Sequence, residues 1–92
     1  MNKKQLADRL NIDKSMIEQV DYKQLFVVRR GQHKELYSYY TKVGETGFTD
    51  DFKACWLLTT RKYSRTTTRQ LSQFAKCARN NGYEVKYSDE EI

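Results

Sequence analysis

The sequence has no proline, four glycines, two cysteines and a single histidine in 92 residues. Without proline, nothing in it reads as a Pro-rich or low-complexity linker. Cys55 and Cys77 lie 22 positions apart. They are too few for a disulfide scaffold and, with only His33 to join them, for a tetrahedral zinc site. No apolar run approaches the roughly 18 residues of a membrane span. The opening MNKKQLADRLNIDK is charged throughout, unlike the apolar heart of a secretion signal, so a cytoplasmic location is expected. Leu, Ile, Val and Phe together fill only 19 positions, close to the roughly 20% below which disorder becomes the usual outcome. Seven Tyr, four Phe and one Trp restore the balance, because rings bury large areas. The expectation is one folded domain, 1–92, whose core depends on aromatic side chains.

What the chain has in excess is positive charge, and it is unevenly placed. Seventeen Lys and Arg stand against twelve Asp and Glu, a net +5. Residues 1–52 are nearly balanced at +1. Residues 53–83 carry seven cations and no acid, while residues 84–92 sum to −3. Such asymmetry speaks to partners rather than to fold.

Hydrophobic spacing outlines the elements. Leu6 and Leu10 give a short helix over 2–10, and Asp13 is placed to cap a second over 14–20, with Met16, Ile17 and Val20 as its stripe. Together LADRLNIDKSMI has the outline of a helix-turn-helix, but the motif is weak without a third supporting helix, and plain packing of two short helices is the preferred reading. LFVVRR and LYSYYTKV read as two strands joined by a four-residue loop, GQHK. GETGFTDDF reads as the longest loop. KACWLLTTR reads as a third strand with Ala54, Trp56 and Leu58 on one face. Leu71, Phe74, Ala75 and Ala78 mark an amphipathic helix. Thr67 and Gln70 offer it a capping box and Asn81-Gly82 an end. Tyr83, Val85 and Tyr87 then alternate as a half-buried strand. The expected fold is α+β: a small antiparallel sheet of three to four strands packed by one main helix. A helical N-terminal segment (1–23) would precede the sheet and helix (24–87), with an acidic tail (88–92).

Chemistry of an enzymatic kind is not visible. His33 lies in the predicted turn, and Cys55 and Cys77 read as small buried hydrophobes rather than nucleophiles. Asp50-Asp51 and Asp89-Glu90-Glu91 read as solvated carboxylates. No Gly-rich phosphate loop is present. The chain is therefore read as a non-enzymatic protein with neither metal nor cofactor.

The informative block is WLLTTRKYSRTTTRQ, residues 56–70. Arg61, Lys62, Arg65 and Arg69 surround Tyr63, Ser64, Thr66 and Thr67 on the approach to a helix, with Lys76 and Arg79 on that helix. Unsatisfied N–H groups, hydroxyls and guanidiniums are the ingredients of an anion site. Tyr63, with Tyr37, Tyr39 or Tyr40 where exposed, suits stacking on an unpaired base. Each residue also has a plainer reading: Ser and Thr as caps, Thr as strand former, Arg and Lys as a solvated face.

Trp56, Leu58, Thr59, Thr60, Lys62, Tyr63, Ser64, Thr66, Thr67, Thr68 and Arg69 form the pattern W-x-L-T-T-x-K-Y-S-x-T-T-[ST]-[KR]. It resembles a block in small bacteriophage and mobile-element proteins of a domain family with no assigned function. SYYTKVG, residues 38–44, is similar to that family's preceding strand, so the likeness spans roughly residues 36–80. Where the family commonly has His after the basic residue, this chain has Gln70. The resemblance implies phage or plasmid origin, and hence the host cell cytoplasm, more than an activity. Three readings follow: a phage-type accessory protein binding nucleic acid, a protein-binding inhibitor or modulator of a host or defence nucleoprotein, and a homo-oligomer, such as a homodimer, formed through the exposed edge of the hairpin.

Overall fold

A computed structural model describes residues 2–20, 24–61 and 63–89. It begins with helix α1, Lys3–Leu10, whose first turn is closed by a reciprocal capping box between Asn2 and Gln5. A single 3-10 turn, Lys14–Met16, follows. The strands are β1 (Ile17–Gln19), β2 (Leu25–Arg30), β3 (His33–Ser38), β4 (Thr41–Phe48) and β5 (Ala54–Thr59). Helix α2, Arg65–Asn80, then crosses over to β6, Glu84–Ser88. All six strands form one sheet in the order of the chain. Neighbours from β1 to β5 are antiparallel, whereas β5 and β6 are parallel. A parallel neighbour needs a crossover of a dozen or more residues, and α2 supplies it.

The sheet divides the core. Leu25, Val27, Leu36, Val43, Trp56 and Leu58 face α2 and meet its Leu71, Ala75 and Ala78. Trp56 stands edge-on to Phe74, with ring centroids 4.8 Å apart. On the opposite face Ile17, Phe26, Val28 and Tyr37 are covered by Leu6 and Ala7 of α1. Strand β2 is thus buried on both faces, which is why LFVV runs apolar without alternation.

The expectation of three to four antiparallel strands is overturned: the sheet has six strands and is mixed. Three local features account for the difference. LYSYYTKV is not one strand but the end of β3, a turn at Tyr39-Tyr40, and the start of β4. Tyr39 makes that turn with φ +56° and without glycine, its N–H donating to the Gln24 carbonyl at 2.8 Å. GETGF, taken for loop, is strand: a Cβ on Gly44 would lie 2.7 Å from Leu58 Cδ2, so this glycine permits close packing rather than a bend. The second helix expected over 14–20 is the 3-10 turn followed by β1, because burying Ile17 against α1 outweighs the weak 3.6-residue period. With no second helix there is no helix-turn-helix, and the segment 1–23 is only partly helical; Asp21, Tyr22 and Lys23 lie outside the described residues.

Smaller corrections follow. The first hairpin turns in two residues, since Arg30 pairs with His33. Both its strands are interior, and the sheet edges are β1 and β6 instead. Cys55 is buried, but Cys77 is exposed on α2. Of the tail, Ser88 closes β6, and Glu90, Glu91 and Ile92 lie outside the described residues.

Candidate nucleic-acid interface

The position of α2 is set at its first turn. Its N-cap is Ser64, one turn before the Thr67–Gln70 box read from the sequence. Ser64 Oγ accepts the Thr67 N–H at 3.1 Å. Its own hydroxyl donates to Thr67 Oγ1 at 3.1 Å. Buried Ser38 on β3 donates its single proton to Gln70 Oε1 at 2.7 Å, so in the 3.2 Å contact with Thr67 it must accept. The result is a directed chain from Ser64 through Thr67 and Ser38 to Gln70, which pins the helix to the sheet in one rotation. At the other end Gly82, φ +87°, allows a Schellman close: Gly82 N–H donates to Arg79 O and Tyr83 N–H to Ala78 O, both within 3.1 Å.

That rotation decides which side chains meet solvent. Thr67, Gln70, Leu71, Ala75 and Ala78 face inward. Arg65, Arg69, Ser72, Lys76 and Arg79 are exposed, and at 3.6 residues per turn they fall within an arc of about 80° on the outer face. With a rise of about 1.5 Å per residue, the stripe from Arg65 to Arg79 is about 21 Å long. The helix contains no acidic residue. Among the described residues none of its four cations makes an ion pair; those formed lie elsewhere on the sheet. Exposed Tyr63 borders a shallow depression with Ser64, Arg65, Thr68 and Arg69 at the stripe's N-terminal end.

The residues singled out from the sequence therefore separate. Arg65, Arg69, Lys76 and Arg79 form one line, and Tyr63 and Ser64 adjoin it. Arg61 is exposed in the connection after β5, its N–H held by Thr59 Oγ1 at 3.1 Å. Thr66 is exposed but lies off the stripe. Thr67 is buried, its hydroxyl committed to the helix–sheet latch. Lys62 lies outside the described residues. Ser72 was not singled out, although its place seven residues after Arg65 puts it in the same line. Of the candidate stacking rings, Tyr37 is buried, Tyr39 and Tyr40 are exposed, and Arg9 lies over the Tyr40 ring at 4.7 Å.

Arg29 and Arg30 of β2 and Lys42 of β4 behave differently, because each is paired with a carboxylate. Glu35 receives Arg30 Nε at 2.5 Å, Lys42 Nζ at 3.1 Å and the Tyr37 hydroxyl at 3.4 Å. Burial alone pushes the Glu35 pKa up, but the bonds and charges of Arg30 and Lys42 outweigh it and hold the carboxyl below its ordinary value. Glu45 pairs with His33 at 3.1 Å and Lys42 at 3.7 Å. The outer face of α2 thus carries four cations in line, none of them paired with an acid among the described residues. No helix among the described residues is long and apolar enough to cross a membrane. Among the described residues no group of three or more His, Cys, Asp or Glu is placed to hold a metal ion. In comparisons with known proteins, no family model, curated protein or solved structure matches the chain.

Proposed function

We propose that the chain is a small non-enzymatic accessory protein of phage type, acting in the host cytoplasm, that binds nucleic acid through the outer face of α2. One observation carries the reading: four cations share one line with no acid on the helix and no ion pair among the described residues to quench them. The resemblance of residues 56–69 to a block in phage and mobile-element proteins is what suggests the origin. Long cations repeated along a whole helix suit phosphates better than base edges, so the binding proposed is weakly sequence-dependent. Tyr63 at the stripe's end offers a stacking surface where a strand is unpaired.

Fluorescence anisotropy with labelled oligonucleotides tests this. Four phosphate contacts give a slope of log affinity on log salt of about −3.6 on duplex and about −2.8 on single strands. Replacing Arg65, Arg69, Lys76 and Arg79 together by Gln should abolish binding while leaving the far-ultraviolet circular dichroism unchanged. Absence of binding at about 50 mM salt, where such contacts are strong, or a slope near zero, rejects the proposal.

A second reading, an inhibitor or modulator of a host or defence nucleoprotein, draws on the β4–β5 turn. Phe48 and Phe52 are 76% and 87% exposed there, with Asp50 and Asp51 between them. Exposed rings beside carboxylates suit a protein pocket with a basic rim rather than a phosphate chain. Capture of a host protein that survives nuclease treatment and is lost in Phe48→Ser/Phe52→Ser would favour it.

A further inference from the structure

Strand β6 closes the sheet at one edge, and its outer side has no partner among the described residues. Thr60 N–H donates to the Ser88 carbonyl at 2.9 Å, so the backbone of Ser88 faces β5. By strand alternation Glu84 and Lys86 also turn their backbone groups inward, and those of Val85 and Tyr87 point out. The side chains alternate as well. Val85 and Tyr87 pair with Trp56 and Leu58 and lie on the α2 face, whereas Glu84 and Lys86 pair with Cys55 and Leu57 on the other.

The segment Tyr83-Glu84-Val85-Lys86-Tyr87 is self-complementary about Val85: tyrosine at both ends and opposite charges at equal distance from the centre. Among the described residues Glu84 has only a 4.0 Å approach from exposed Lys53, and Lys86 has no ion pair. We propose that β6 is a homodimerisation edge, pairing antiparallel with β6 of a second copy about a twofold axis through Val85. In that register the two Val85 residues exchange N–H···O bonds across the axis. Each Tyr87 N–H meets the carbonyl of the second copy's Tyr83. The Tyr83 N–H is not needed, as it already serves the α2 cap. Glu84 lies opposite the second copy's Lys86, twice by symmetry, in the closer, non-hydrogen-bonded pairing. Half-exposed Tyr87 lies opposite the second copy's Tyr83. The axis is perpendicular to the sheet, so both α2 helices lie on the same face.

A one-residue slip would set Glu84 against Val85 and place charges across from apolar side chains, so the pattern specifies register as well as partner. This inference is independent of nucleic-acid binding and is tested without nucleic acid, by sedimentation equilibrium at several protein concentrations. The wild type should show a mass rising to that of a dimer. Glu84→Lys alone, or Lys86→Glu alone, turns both cross-strand pairs repulsive and should weaken self-association roughly tenfold. An equal mixture of the two variants restores both pairs and should dimerise like the wild type, which also shows that each variant is folded. A wild type monomeric at its highest soluble concentration, single variants that associate normally, or a mixture no tighter than its components would each overturn the proposal.

Discussion

Replacing Gly44 by Ala adds one methyl group where the sheet is most tightly filled. The new carbon would sit 2.7 Å from Leu58 Cδ2, 3.0 Å from the Leu57 carbonyl oxygen and 3.5 Å from Leu36 Cβ. Unstrained carbon pairs sit about 3.5–4.0 Å apart, so Leu58 must retreat by about 1 Å. Leu58 is fully buried in one cluster with Leu25, Leu36, Val43 and Trp56, so its retreat presses on close-packed neighbours. Overpacking of this kind costs about 1–3 kcal/mol. The stiffer backbone of Ala returns about 0.5–1 kcal/mol, since Gly44 does not have a positive φ. The net expectation is a loss centred on about 1.2 kcal/mol and no larger than about 2.5 kcal/mol, which for a domain of this size lowers the melting temperature by about 4–8 °C per kcal/mol. Urea denaturation followed by Trp56 fluorescence measures it. Leu58→Val should relieve the clash, so the double variant should be less destabilised than the sum of the single ones. A Gly44→Ala protein as stable as the wild type, or strict additivity with Leu58→Val, would refute the argument that this glycine exists for packing.

Two other perturbations follow from the same geometry. Glu35→Gln should cost about 1–2 kcal/mol at neutral pH, because Arg30 and Lys42 lose the carboxylate between them. The Glu35 carboxyl titrates below its ordinary value of 4.5 in the folded state. Its contribution is therefore present above that pH and lost as pH falls through the lowered value, so the gap between variant and wild type should close on acidification. A gap that stays constant down to the acid transition contradicts the assignment. Phe52 holds φ +60° while 87% exposed, a left-handed conformation that costs a bulky residue about 1–2 kcal/mol. Phe52→Asn should raise thermal stability by a few tenths to about 1 kcal/mol, and a lower melting temperature would show that the ring contributes to packing.

The sequence was most legible where one side-chain pattern acted alone. The stripe of Leu71, Phe74, Ala75 and Ala78 marked α2, Asn81-Gly82 marked its end, and alternation marked β6. It was least legible where tertiary contact overrode local preference. No residue-type rule places a turn at Tyr39-Tyr40, because the bond from Tyr39 to Gln24 that holds it spans fifteen residues. Gly44, which locally announces a loop, lies inside β4 because Leu58 and Leu36 fill the space a side chain would take. The cap moved from Thr67 to Ser64 because buried Ser38 draws Thr67 and Gln70 inward. That hydroxyl on a distant strand could not be seen in a local pattern. The charge excess over residues 53–83 was plain. The spacing of Arg65, Arg69, Lys76 and Arg79 gathers them into one line on any helix. That the line faces solvent depends on the helix's rotation, set by its buried apolar stripe and the latch to β3.

That latch and the parallel pairing bear on the order in which the molecule assembles. Strands β1 to β5 are joined in sequence by short connections, so their pairings close small loops. The bonds between β5 and β6 instead close one that contains the whole of α2, and non-local closures of this kind come late. The meander is then the template, and its Ser38 awaits the helix. A chain halted before β6 docks would carry its arginines on an unregistered helix, with the Trp56 face uncovered. The outward setting of the positive line is thus reached only once the helix has docked on the sheet.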